Sequence, residues 1–230
     1  MTPAPVVILR GLVNKLMKAD LHIHTKYSRD SNISLDKLIN RCLELGINCV
    51  AIADHGTTEG ATKLKRLAPF TVIIAEEILT SYGEIMGMFL TETIPSHLSI
   101  LETISQIKAQ GGLVCIPHPF DRFRASALDS DIIEELIDQI DIIEVFNARA
   151  IPFQNLTKAY VFAQKHAITQ SAGSDAHTVN EVGNAYIEMP EFNGRDDFLQ
   201  ALAKGKVCGR RTNPFAHFYS LGSRIKKKFR

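Results

Sequence analysis

Five of the seven apolar runs in this chain are followed at once by a histidine, a carboxylate or an asparagine, and the other two within four residues, and that regularity limits the folds open to it. The runs lie at 19–23, 49–53, 72–75, 113–116, 142–146, 168–171 and 185–187. Several are continuously apolar rather than alternating, as strands covered on both faces are. Between them fall stretches with helical apolar spacing: 34–46 with a serine start and a terminal glycine, 99–110, 130–140, 155–166 and 196–204. Strands alternating with helices imply a mostly parallel sheet. In an open sheet, strands far apart in order could not all bring their polar ends to one centre. In a closed α/β barrel the C-terminal strand ends meet at one mouth. The expected fold is therefore α/β, a barrel of seven strands.

The polar endings carry the chemistry. Alternate residues of a strand point to one side, so His22 and His24 form one pair, and Asp175 and His177 another. Asp54-His55 follows the second run, and an unpaired charge at the tip of a buried strand costs several kcal/mol unless a partner such as a metal ion is present. Glu76 and Glu77 face opposite ways; Glu77 is expected to enter the centre and Glu76 to face a helix or solvent. His118 leaves its strand between Pro117 and Pro119, which fix its direction. Asp30 lies in the polar turn after His24, and Asn147 is a poor zinc ligand but a fair manganese ligand or a support for the other ligands. Glu144 is expected to orient a histidine, and Glu84 is a weaker candidate for the centre that reads rather as salt-bridged or solvated.

Imidazole and carboxylate suit zinc, manganese or iron. One zinc takes about four ligands, so His22, His24, Asp30, His55, Glu77, His118, Asp175 and His177 suggest two or three divalent ions. Clustered ions suit phosphoester hydrolysis, and arginine's planar fork matches phosphate oxygens. Arg149 is the first candidate for that contact, with Arg122 and Arg124 in the loop after His118. No glycine-rich nucleotide loop is present, which argues against a kinase or a dehydrogenase.

At 230 residues and 45% hydrophobic, the chain can bury one full core. A net charge of +1 argues against a broad nucleic-acid surface. Cys42, Cys49, Cys115 and Cys208 form no CxxC pair and read as reduced thiols. No apolar run approaches the roughly 18 residues needed to span a bilayer, and no signal peptide opens the chain. A cytoplasmic protein without a membrane partner is expected.

The segments Ala19-Asp-Leu-His-Ile-His-Thr25, Ile52-Ala-Asp-His-Gly56, Ala75-Glu-Glu-Ile78, Ile116-Pro-His-Pro-Phe120, Glu144-Val-Phe-Asn147 and Gly173-Ser-Asp-Ala-His177 together resemble the polymerase and histidinol phosphatase (PHP) superfamily. The resemblance implies a seven-stranded distorted (β/α) barrel with a trinuclear centre. On that pattern one ion takes His22, His24, Glu77 and Asp175, a second shares Glu77 and takes His118, and a third takes Asp30, His55 and His177. Asp30 and Asn147 stand where some members have histidine, which tilts the expected metal from zinc towards manganese or iron and weakens the second ion. The expected organisation is an N-terminal extension (1–18), a barrel domain with a C-terminal associated segment (19–223) and a basic tail (224–230). The expected activity is a metal-dependent phosphoesterase acting on a nucleoside phosphate, an oligonucleotide end or a sugar phosphate. Arg149 would hold the phosphate, and Asp54 would orient ligands or assist proton transfer. The alternatives are a carbon–nitrogen hydrolase of amidohydrolase type, or a non-catalytic metal or nucleic-acid binding module that uses the tail.

Overall fold

The computed structural model describes residues 16–121, 124–150 and 156–212. Arg122, the basic tail and all but the last three residues of the expected extension lie outside this range. In chain order the elements are β1 (Leu16–Ile23), α1 (Leu35–Leu45), β2 (Cys49–Ile52), α2 (Glu59–Leu67), β3 (Thr71–Leu79), β4 (Glu84–Met88), α3 (Ile100–Ala109), β5 (Leu113–Ile116), α4 (Ser130–Glu135), β6 (Ile142–Asn147), α5 (Leu156–Lys165), β7 (Thr169–Gly173), β8 (Ala185–Pro190), α6 (Arg195–Ala203) and β9 (Lys206–Gly209). Local signals fix the helix ends. Ser99 and Glu102 form a reciprocal capping box at the start of α3, and Gly46 closes α1 in the left-handed conformation at φ 68°.

One mixed sheet runs in the order β7-β6-β5-β4-β3-β2-β1-β8-β9. All seven strands expected from the sequence form, but the count among the described residues is nine, not seven. The additions are β4, whose Glu-Ile-Met-Gly-Met carries an interior glycine, and the four-residue β9. β4 is antiparallel to both β3 and β5, so the other six strands from β1 to β7 all run the same way. β1 also begins at Leu16, inside the expected extension, because Leu16–Ala19 pair antiparallel with β8.

The second half of β1 leaves β8 and meets the end of β7 instead, which nearly closes the sheet into a barrel. Asp175 N–H donates to the His22 carbonyl at 2.7 Å and His24 N–H to that of Ala176 at 3.0 Å. Asp20 clamps the seam, accepting from Ser174 N–H and Gly183 N–H at 2.9 Å each. The two strands approach so closely that a Cβ on Gly173 would stand 2.2 Å from His22 Cβ. Small or slender residues fill the interior, among them Ala19, Ala51, Ala75, Cys115 and Met86, with Phe198 and Leu202 of α6 added. β2 and β5 are buried along their whole length, as their continuous apolar sequences require.

Two extra residues rephase the strand alternation near the mouth. Asp20 pairs with Val50 but Ile23 with Ile52, so β1 carries one residue more than its partner. β6 does the same between Glu144 and Phe146. Such bulges re-aim the side chains beside them, here those of His22 and Asn147. On β3, Glu76 turns away from the mouth. Its Oε2 accepts from Ile94 N–H at 2.9 Å, and burial pushes its carboxyl up to about 7.

Two outcomes follow from this architecture. Gly173→Ala forces a methyl group into the His22 backbone and is expected to lower the denaturant midpoint by an amount equivalent to roughly 3 kcal/mol. Because the folded state favours protonated Glu76, its contribution is complete below the ordinary carboxylate range and is lost as pH rises through about 7. Glu76→Gln keeps an acceptor for Ile94. It should therefore flatten the fall in stability between pH 5 and 8.5 by roughly 1–3 kcal/mol relative to the parent, as measured by chemical denaturation at each pH.

Candidate metal centre

The strand ends converge as the sequence pattern requires. His22 Nε2 lies 3.1 Å from His24 Nε2 and 3.4 Å from Glu77 Oε2. Asp175 Oδ1 is 3.3 Å from His24 Nε2 and 3.8 Å from His22 Nε2. Asp30 meets His55 Nε2 and His177 Nε2 at 3.4 Å each, and His118 Nε2 meets Glu77 Oε1 at 2.6 Å. All eight expected ligands therefore share one space, and each is buried except His55, whose side chain is 10% exposed.

The donor set fits cations. Ligand atoms held ~2.1 Å from one ion at tetrahedral or octahedral angles stand roughly 3.0–3.5 Å apart, the range in which most of these pairs fall. Hydrogen bonds alone leave buried polar atoms stranded: His24 Nδ1, His55 Nδ1, His118 Nδ1 and Asp175 Oδ1 make none among the described residues. Three groups have ligand atoms mutually within 4.8 Å: His24, Asp30, His55 and His177; His22, His24 and Glu77; and His55, Glu77 and Glu84. Supports set the tautomers. His22 Nδ1 faces Glu144 Oε1 at 3.0 Å and His177 Nδ1 faces the Asp175 carbonyl at 2.8 Å. A proton on each Nδ1 donates to those oxygens and leaves Nε2 a lone pair for the centre.

Two ligands sit on left-handed backbone, His118 at φ 32° and Asp175 at φ 52°. Such conformations cost free energy and persist where surrounding structure imposes them, often at functional sites. Charge is equally concentrated. Burial disfavours the ionised forms, yet neighbouring imidazoles and Arg124 keep Glu77 and Asp175 well below the usual carboxylate range. Burial likewise pulls on His24, but Asp175 and Glu77 outweigh it and hold the imidazole up to about 9. His177 goes the other way, down to about 4, through burial and the neighbouring charge of His24. A cation at this place takes over the role of those protons, so binding expels them.

The remaining expected residues divide. Glu144 does orient a histidine, and its Oε2 also accepts from His118 N–H at 2.7 Å. Asn147 is hydrogen-bonded to its neighbours in the cluster. Its amide nitrogen donates to Glu144 at 2.9 Å and Asp175 at 3.3 Å, while its oxygen accepts from Arg149 N–H. Asp54 accepts from Thr25 N–H and Oγ1–H, one on each oxygen, and so holds the turn after β1, while burial raises its carboxyl above the usual carboxylate range. Arg149 is turned to Glu181, with Nε 3.4 Å from Oε1. Among the described residues, Arg124 brings a guanidinium to the cluster, donating from Nη2 to Asp175 Oδ2 at 2.7 Å.

Two residues escape the sequence reading, and a third, Glu84, ranks there as a weaker candidate. Glu181 accepts from His177 N–H and Thr178 N–H and so fixes the loop after β7. Asp20 is the clamp already described; its place one residue before the His-x-His segment was the available hint. Glu84, read as salt-bridged or solvated, is buried beside His55 and His118 at 3.6 and 3.7 Å. It reaches the mouth because β4 runs backwards and so begins where its neighbours end.

The PHP domain family matches residues 20–116, and a PHP-associated family matches residues 154–207. Uncharacterized protein MJ0417 of Methanocaldococcus jannaschii is 38% identical over 180 residues, covering 77% of this chain and 72% of that protein. A two-domain protein from Bacteroides vulgatus containing a predicted PHP-like metal-dependent phosphoesterase aligns over 85% of this chain at a TM-score of 0.69 and 15% identity. This chain spans 65% of that one, under two thirds of its length. An amidohydrolase from Chromobacterium violaceum, solved with bound sulfate, aligns at a TM-score of 0.59 and 18% identity over 82% of this chain and 97% of that one. At these identities both structural likenesses are likenesses of fold. The relative from Methanocaldococcus and the two matched families cover most of the sequence between residues 20 and 207, and the chain belongs to the PHP family.

Proposed function

We propose that this chain is a metal-dependent phosphoesterase that hydrolyses small phosphorylated substrates, whether a nucleoside phosphate, an oligonucleotide end or a sugar phosphate. The observation that carries the proposal is the convergence of five imidazoles and three carboxylates with buried ligand atoms that protein hydrogen bonds do not satisfy. Divalent cations at such a centre supply an activated water near neutral pH and positive charge for the phosphate oxygens. Manganese, zinc and iron all suit the donor set.

Within this reading the chain's own groups have distinct tasks. His22, His24, Glu77 and Asp175 hold one ion, Glu77 and His118 a second, and Asp30, His55 and His177 a third. Glu144 and Asn147 keep the first two sets aligned through His22, His118 and Asp175. Arg124, on the edge of the cluster and 23% exposed, is placed to pair with phosphate oxygens ahead of Arg149, which Glu181 holds. A near-neutral chain suits a compact substrate better than a long polyanion. A cytoplasmic location belongs to the same proposal; all four cysteines are free thiols, and among the described residues no helix is long and apolar enough to cross a membrane.

A lysine between two ions would favour the carbon–nitrogen hydrolase alternative. Lys63 and Lys65 instead lie on the exposed face of α2, with Lys63 paired to Glu59 at 2.5 Å.

A panel of phosphomonoesters, short oligonucleotides and amides, assayed with manganese, zinc and iron, tests the proposal. Phosphate release that a chelator abolishes and metal restores is expected, with Asp175→Ala on the order of 100-fold or more slower in kcat/KM. Turnover confined to amides, or none with any metal, would overturn it. Arg124→Ala should lower kcat/KM by roughly 10- to 100-fold through a higher KM, as expected for a lost charged hydrogen bond worth ~1.5–3 kcal/mol.

A further inference from the structure

We infer that Glu84 is itself a cation ligand, and that with Glu77 and His118 it makes one pocket of the centre carboxylate-rich and selective for a hard cation. The inference rests on the proposal that the centre holds metal ions, and it assigns a ligand that no strand-end motif supplies.

Glu84 opens β4, and because β4 is antiparallel to both neighbours, its first residue stands at the mouth beside the last residues of β3 and β5. The side chain is 4% exposed. Its Oε2 lies 3.7 Å from His118 Nε2 and its Oε1 3.6 Å from His55 Nδ1, both too long for hydrogen bonds. Among the described residues no donor forms a hydrogen bond to either oxygen. The Arg124 guanidinium lends Glu84 charge without a hydrogen bond, and a buried carboxylate without donors gains further from a bound cation. His55 gives a second, independent sign of the same space. Its side chain is nine-tenths buried, and Nδ1 has no hydrogen-bond partner although it stands 3.6 Å from both Glu77 Oε2 and Glu84 Oε1. Glu77 and Glu84 each offer that nitrogen and one another an oxygen within 4.8 Å.

The chain also holds Glu84 firmly. Its backbone N–H donates to the Ser126 carbonyl at 2.7 Å, and Thr80 N–H bonds the Gly83 carbonyl at 2.8 Å. Gly83 is at φ 154°, and a Cβ there would stand 2.8 Å from Leu128 Cδ2 and 3.0 Å from the Ser126 oxygen, so the backbone can approach only as glycine. On the other flank of β5, the Asn147 oxygen already accepts from Arg149 N–H and its amide nitrogen donates to Glu144 and Asp175, whereas Glu84 on β4 offers an anionic oxygen to this pocket.

The donor types then differ across the centre. The pocket at His22, His24 and Glu77 is led by imidazoles, as is that at His24, Asp30, His55 and His177. The pocket at Glu77, Glu84 and His118 is led by carboxylate oxygen. Imidazole suits zinc and iron, and carboxylate suits manganese and magnesium.

The test uses the full chain, metal-depleted and then reloaded with manganese and zinc together, with bound metal counted by elemental analysis and manganese affinity measured calorimetrically. Glu84→Gln should lose about one equivalent of metal, chiefly manganese, and retain the rest. Glu84→His should recover that equivalent as zinc. A Glu84→Gln protein with the parent's complement and an unchanged manganese-to-zinc ratio overturns the inference while leaving the proposed function standing. A parent chain that binds no divalent metal overturns both. Should Glu84→Gln fail to fold, Glu84→His decides alone: an unchanged metal ratio in that variant also refutes the assignment.

Discussion

Two backbone hydrogen bonds, from Asp175 N–H to the His22 carbonyl and from His24 N–H to the Ala176 carbonyl, join the last parallel strand to the first. Without that seam the His-x-His segment on β1 and the Asp-x-His segment after β7 would lie six strands apart in the sheet order. The seam depends in turn on the absence of a side chain at Gly173 and on Asp20 of β1, whose two oxygens gather the Ser174 and Gly183 N–H groups of the segment between β7 and β8. Structural residues so near the ligands have a functional consequence. Any change that opens the seam separates His22 and His24 from Asp175 and His177 at the same time.

Much of this was legible in the chain because parallel strands covered on both faces leave unbroken apolar runs. The polar residue that ends such a run must lie at the mouth of a barrel. Hence His22, His24, His55, Glu77, His118, Asp175 and His177 could be placed together without coordinates, and Asp30 with them from its turn. The direction of a strand leaves no comparable trace. Glu84 precedes an apolar run instead of following one, so a rule based on run endings passes over it. Hydrogen-bond partners chosen by a turn are equally hidden: nothing in Asp54-His55 shows that Thr25 takes up both oxygens of Asp54. Arg149 and Arg124 each follow a strand end, and only the position of Glu181 separates their roles.

The balance of charge explains why so many ionisable groups tolerate one buried volume. Carboxylates and imidazoles stabilise one another, so Glu77 and Asp175 remain ionised while His24 holds a proton well above its ordinary range. Each of those protons occupies a direction that a cation can use. Glu77 and Asp175 thus have positive charge beside them within the protein itself, and a cation bound there would take over that role.

The left-handed backbone at Asp175 narrows what evolution can write there. Aspartate, asparagine and histidine are several-fold enriched among the non-glycine residues that adopt such angles, and the two strained ligands of this centre are an aspartate and a histidine. Glutamate would preserve the charge at 175 but lose the short side chain that tolerates the turn. Drift at this position is therefore steered towards asparagine, which keeps the backbone and gives up the anion.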